Sequence, residues 1–154
     1  VNPLDAILTV LISAAPIAEL RGGIPFALAR GGSPAAAFCL AIFGNLTVVP
    51  ILFLGLRSGE RLLRRTTFGR RLVDSVFARV RRRASAIDRY GALGLFLLVA
   101  IPLPGTGAWT GAIAASFFGI PPRRASIPIV LGVLAAGIVV LLASLGVIRV
   151  VTIL

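Results

Sequence analysis

Histidine and lysine are absent from this chain of 154 residues, cysteine occurs once, and only five residues are acidic. Without histidine there is no Ser-His-Asp triad, and with Cys39 alone there is neither a disulfide pair nor a cysteine metal site. A glycine-rich phosphate loop of the P-loop type is missing as well. No catalytic residue, metal or cofactor is therefore assigned, and an enzyme is not expected. The remaining enzymatic alternative is an intramembrane hydrolase built on Glu19 alone.

Charge is missing from long stretches. No charged residue lies between Gly31 and Leu56 or between Ala125 and Ile148. Each run exceeds the roughly 20 residues that span a hydrocarbon core. Apolar residues make up 58% of the chain and its mean hydropathy is +1.03, well above ordinary soluble usage. Two full spans follow, 34–56 and 125–148, in an all-α integral membrane protein. Asp5 stands where a signal peptide would carry positive charge, so a cleaved signal is not expected.

The charge that is present is concentrated. The net charge is +11 and the basic residues are all arginine. Of these, eleven fall between Arg57 and Arg89, together with three of the five acids. A basic segment between two hydrophobic halves sets topology rather than binding nucleic acid, and the positive-inside rule puts 57–89 on the cytoplasmic side. Leu72, Val73, Val76, Phe77, Val80, Ala84 and Ile87 recur at helical spacing opposite Arg70, Arg71, Arg81 and Arg82. That pattern predicts an amphipathic helix preceded by a shorter one around 58–65. Its role is either to lie on an anionic phospholipid surface or to serve as a solvated connector.

From Tyr90 to Pro122 there are 33 uncharged residues, too many for one span and too few for two. Arms at Tyr90–Ile101 and Ala108–Ile120 would rise about 18 and about 20 Å at 1.5 Å per residue. Two half-length helices joined by a tip at Pro102, Pro104, Gly105 and Gly107 fit, and a re-entrant hairpin also keeps Arg123 and Arg124 inside. The start of the chain has the same form: an arm from Leu4 to Ala15, a broken tip containing Pro16 and "PIAELRGG", and a second arm from Ile24 to Ala29 beside Pro25. Shifting by 88 residues matches Pro16 with Pro104, Gly23 with Gly111, Ala27 with Ala115, Gly31 with Gly119, Pro34 with Pro122 and Gly44 with Gly132.

The expected organisation is a single membrane domain, 1–154. Repeat 1 covers 1–56, with a re-entrant hairpin at 4–30 and a transmembrane helix at 34–56. The basic linker is 57–89. Repeat 2 covers 90–148, with a re-entrant hairpin at 90–121 and a transmembrane helix at 125–148. The first hairpin enters from outside and the second from inside, an inverted repeat of the kind that places a transport site near the midplane.

"PIAELRGGIPFALA" followed by "YGALGLFLLVAIPLPGTGAWTGAIAA" resembles the prokaryotic family labelled small multi-drug export proteins, over nearly the whole chain outside the basic linker. That family is similar, more distantly, to the DedA or SNARE-associated (VTT) membrane proteins. The resemblance implies two re-entrant hairpins of opposite orientation, and a proton-dependent flippase of undecaprenyl phosphate or a related anionic lipid. It also implies that Glu19 occupies the acidic position of the first hairpin. The DedA pattern carries arginine in its second hairpin, whereas this chain has none there and offers Arg21 instead.

Glu19 is the candidate proton-coupling residue. Arg21 has the donors for a phosphate or carboxylate oxygen. Gly22 and Gly23, near the start of the second arm, and Thr106, Gly107, Trp109 and Thr110 complete the candidate substrate-binding set. Each has a structural alternative: a static Glu19–Arg21 pair, a packing Trp109, and threonines that only satisfy freed carbonyls. Asn45 and Thr47 are expected to form interhelical hydrogen bonds. Membrane lipid, a homodimer and the prokaryotic inner membrane complete the expectation. The functional alternatives are a multidrug exporter of cations and an uncoupled scramblase or scaffold.

Overall fold

Proline and glycine set the element boundaries in the computed structural model, which describes residues 2–63, 66–67, 71, 74–75, 78, 90–103 and 106–153. Helix α1 is Pro3–Ala14, with Asn2 as its cap accepting the Leu4 N–H at 3.4 Å and proline in the first turn. It ends where Ala15 turns extended, as the residue before Pro16 is constrained to do.

Helix α2, Glu19–Ala29, begins five residues before the expected arm at Ile24. The Ala15 and Ala18 carbonyls accept the N–H groups of Glu19 and Gly22, so the turn winds directly into the helix. Arg21, Gly22 and Gly23 are thereby helical. Pro25 lies inside α2 rather than at the tip, and its missing N–H leaves the Arg21 carbonyl without its ladder donor.

Helices α3, Pro34–Leu63, α4, Ala92–Ala100, α5, Ala108–Phe117, and α6, Pro122–Ile153, complete the order. No strand occurs among the described residues. Two short helices and one long helix thus occur twice. The end of α2 and the end of α5 share one cap. Gly32 N–H reaches the Ala27 carbonyl at 2.9 Å, and 88 residues on Ile120 N–H reaches the Ala115 carbonyl at 2.8 Å. Gly31 and Gly119 take the left-handed φ that this cap requires. Both long helices then start on proline, which is preorganised for a first helical turn.

The segments Pro34–Gly55 and Pro122–Ile148 are long and apolar enough to cross a membrane. Neither helix stops at the expected edge of its span. Helix α3 runs on to Leu63 instead of yielding to a separate helix near 58, and α6 starts three residues before 125 and extends to Ile153. Arginine is a good helix former, so the charge that ends an apolar span does not end the helix. The amphipathic helix expected within 57–89 falls for the most part outside the described residues, as do Pro104 and Gly105.

Helix α1 packs on α2 and α3, and α4 on α5 and α6, while α2 reaches α6 and α5 reaches α3. Small side chains fill the centre: Ala41, Ala108, Ala112 and Ala115 are wholly buried around Ile24, Leu95 and Ile129. Small residues let helices approach closely where lipid supplies no hydrophobic drive between them. The outer surface is apolar, with Leu4, Ile7, Phe43, Leu54, Leu131 and Leu142 all exposed. Exposed apolar side chains of that kind on the two long helices suit lipid contact.

Candidate functional site

Glu19 opens α2 with φ +47, and it is the one non-glycine residue with positive φ among the described residues. Holding such a backbone costs roughly 1–3 kcal/mol and persists only where surrounding contacts over-determine it. Those contacts come from the start of α5 and from Arg21, two residues further along α2. The Glu19 carboxylate lies against the N-terminus of α5, near the Trp109 backbone N–H, and faces the Arg21 guanidinium at 3.5 Å. It is nearly sealed, with 6% of its side chain exposed against 26% for Arg21.

The positive end of α5 is thus met by a carboxylate from another helix, the arrangement that a helix N-terminus favours. Gly107, at φ +136 and ψ −161, makes the approach possible. A Cβ there would sit 2.6 Å from the Glu19 carboxyl carbon.

Two more bonds join the loops. Arg21 Nη2 donates to the Thr106 carbonyl, and the Trp109 indole N–H donates to the Ala14 carbonyl at 3.0 Å. Losing the latter in Trp109→Phe, which keeps the ring, is expected to lower stability by about 1 kcal/mol in a thermal melt in detergent. An unchanged melting temperature would show that the indole only packs.

The remaining candidates have definite places. The Thr106 hydroxyl is engaged in its own turn, 2.7 Å from the Ile101 carbonyl and accepting the Leu103 N–H at 3.1 Å. Gly22 fits against Ala18 and Ile12, and Gly23 against Ser13 and Thr9, so both serve the close approach of α1. Thr110 is half-buried on α5, Pro16 lies in the first turn, and Pro102 borders the recess described next.

Glu19, Arg21, Asn45, Pro102, Thr106 and Val133 line a small recess between the loops and the long helices. It offers about 10 Å³ to the centre of a water-sized sphere, room for about one water molecule. The expected interhelical bonds of Asn45 and Thr47 do not form. Thr47 returns its hydroxyl to the Gly44 carbonyl at 2.7 Å, and neither amide atom of Asn45 has a partner although the residue is 1% exposed. A lone amide in an apolar span was the available signal for Asn45. Asp5, read in the sequence only as a charge at the start of the first apolar arm, is buried on α1 and holds Arg30 Nε at 3.0 Å.

A family model described as "Putative small multi-drug export protein" matches residues 19–139, from the first residue of α2 to just past the middle of α6. No curated protein and no solved structure matches the chain.

Proposed function

The chain belongs to this small multi-drug export family, a family of membrane export proteins, and on that premise we propose that it couples export to protons through Glu19. The observation that carries this reading is the buried Glu19 carboxylate at the start of α2, set against the N-terminus of α5 and, through Arg21, tied to the Thr106 carbonyl. Charge-assisted hydrogen bonds of this kind are roughly twice as strong as neutral ones. Protonating Glu19 removes the charge, loosens both loops at once and lets them part.

The cargo is an organic cation. One carboxylate holds either a proton or a cation, so loading on one side and protonation on the other amount to antiport. A second reading, an anionic lipid such as a polyprenyl phosphate, has its own support. When Glu19 is protonated, Arg21 and the N-terminus of α5 are left as donors for a phosphate oxygen.

In this reading residues 4–30 and 90–121 are re-entrant hairpins of opposite orientation in the cytoplasmic membrane, with 57–89 inside. The paired glycine caps, the proline starts of both long helices and the buried Gly44 and Gly132 support the repeat.

The test is the full chain in liposomes with an acidic lumen, offered ethidium or a labelled polyprenyl phosphate. Ethidium is expected to accumulate as protons leave. Glu19→Gln should cut the driven rate at least about tenfold, the scale of one lost charge-assisted bond. Movement of the phosphate alone would establish the second reading. If neither probe responds to the gradient, both readings fail.

A further inference from the structure

Serine inside a helix commonly returns its hydroxyl to the carbonyl four residues back, and Ser116, Ser126 and Ser144 do so at 3.0, 2.7 and 2.7 Å. Ser13 does not. It is wholly buried, its Oγ has no partner, and its Cβ lies 3.1 Å from where a side chain on Gly23 would begin.

One and two turns earlier on the same face of α1 are Thr9 and Asp5. Thr9 is fully buried, with its hydroxyl donating to the Asp5 carbonyl at 2.7 Å. Asp5 is 5% exposed, and its partner Arg30 has 57% of its side chain in contact with the surroundings.

Asn45 continues the series from α3. Its neighbour Gly44 lies against the backbone of Val10 on α1, and Asn45 itself lines the recess of Glu19. The second half of the chain has no such face. The residues 88 positions after Asp5, Thr9, Ser13 and Asn45 are Leu93, Leu97, Ile101 and Val133.

Buried polar atoms without partners mark places that water or a ligand occupies. Successive groups on α1 are about 6 Å apart along the axis, a gap that one bridging water spans. Hydroxyls both donate and accept, as a relay requires.

We propose that Asp5, Thr9, Ser13 and Asn45 form a hydrated proton route between the Arg30 end of α1 and α2 and the carboxylate of Glu19. A proton enters from bulk water at Asp5, passes along bridging waters past Thr9 and Ser13, and reaches Glu19 from the water held at Asn45. The carboxylate becomes a carboxylic acid, and release runs the same steps in reverse. The charged group facing Glu19 is Arg21, and the one facing Asp5 is Arg30. The route rests on Glu19 being the coupling group.

The experiment reads the proton and needs no cargo. The full chain is reconstituted in phosphatidylethanolamine–phosphatidylglycerol vesicles and given a rapid acid jump. Infrared absorption then follows growth of the Glu19 carboxylic C=O band, identified by its loss in Glu19→Gln. Ser13→Ala, which removes one atom, and Asn45→Leu are each expected to slow that growth about tenfold, the scale of a lost hydrogen bond in the relay. The final amplitude should be unchanged. Ser116→Ala, whose hydroxyl is engaged by the Ala112 carbonyl, should match the wild type.

Wild-type rates in both Ser13→Ala and Asn45→Leu would overturn the route, as would equal slowing in Ser116→Ala. If Glu19→Gln removes no band at any pH, the coupling reading itself fails, and that result is distinct from a normal band growing at an unaltered rate.

Discussion

Gly107→Ala is expected to destabilise the protein by about 3–5 kcal/mol and to release the Glu19 carboxylate from α5. Two effects combine. The backbone at φ +136 and ψ −161 is a conformation almost confined to glycine, and forcing a side chain into it costs roughly 1–3 kcal/mol. The new Cβ would also meet the Glu19 carboxylate, with the carboxyl carbon 2.6 Å away. A glutamate side chain can swing aside, but this one is buried, and moving it surrenders the Trp109 N–H and Arg21 contacts. Hydrogen bonds to a charged group are worth roughly 1.5–3 kcal/mol.

The two effects separate in a double-mutant cycle followed by denaturant unfolding in mixed micelles. With Glu19→Ala already present, Gly107→Ala should cost the backbone part alone, leaving a coupling of at least about 1.5 kcal/mol between the sites. Additive effects would mean that Gly107 serves only its turn. A Gly107→Ala protein within about 0.5 kcal/mol of the wild type, the ordinary range of a surface change, would remove the close contact from consideration altogether.

Punctuation in the sequence carried most of the fold. Pro16 and Pro102 end α1 and α4 because the residue before each must turn extended, and Pro34 and Pro122 open the long helices. The start of α2 was not legible. "ELRGG" reads as loop because two glycines in a helix cost about 1 kcal/mol each. Close packing on Ala18, Ile12 and Ser13 outweighs that penalty, and packing has no local signature.

The site divides in the same way. Glu19 and Arg21 were visible as charges deep in an apolar segment, and Thr106 and Trp109 as donors in the opposite loop. What those donors would meet was not visible. The Trp109 indole reaches the Ala14 carbonyl and the Thr106 hydroxyl stays in its own turn, partners that no local pattern in the sequence announces. Asn45 and Ser13 become informative only once neighbours fail to satisfy them, a property of the packed chain.

Gly44→Val is the other substitution expected to have a large effect, about 3 kcal/mol or more of lost stability. The neighbour here is backbone. A Cβ on Gly44 would lie 3.0 Å from both the carbonyl carbon and Cα of Val10, and still closer to the carbonyl oxygen. Main-chain atoms in a helix cannot rotate away, so α1 must retreat from α3 as a unit. Overpacking typically costs about 1–3 kcal/mol even where side chains can adjust.

Gly55, on the same helix with nothing within 4 Å, supplies the contrast. Gly55→Ala should stabilise α3 by roughly 0.5–1 kcal/mol through helix propensity alone. Thermal melts in detergent of the two variants should therefore move in opposite directions. A Gly44→Val protein that melts with the wild type would refute the close backbone contact. Retreat of α1 would also open the face carrying Thr9 and Ser13, so amide hydrogen exchange along Pro3–Ala14 should accelerate in Gly44→Val. Trp109→Phe, which alters the loop beyond that helix, should leave most of α1 protected. Such a difference would tie the spacing of α1 and α3 to the water content of the polar face that leads toward Glu19.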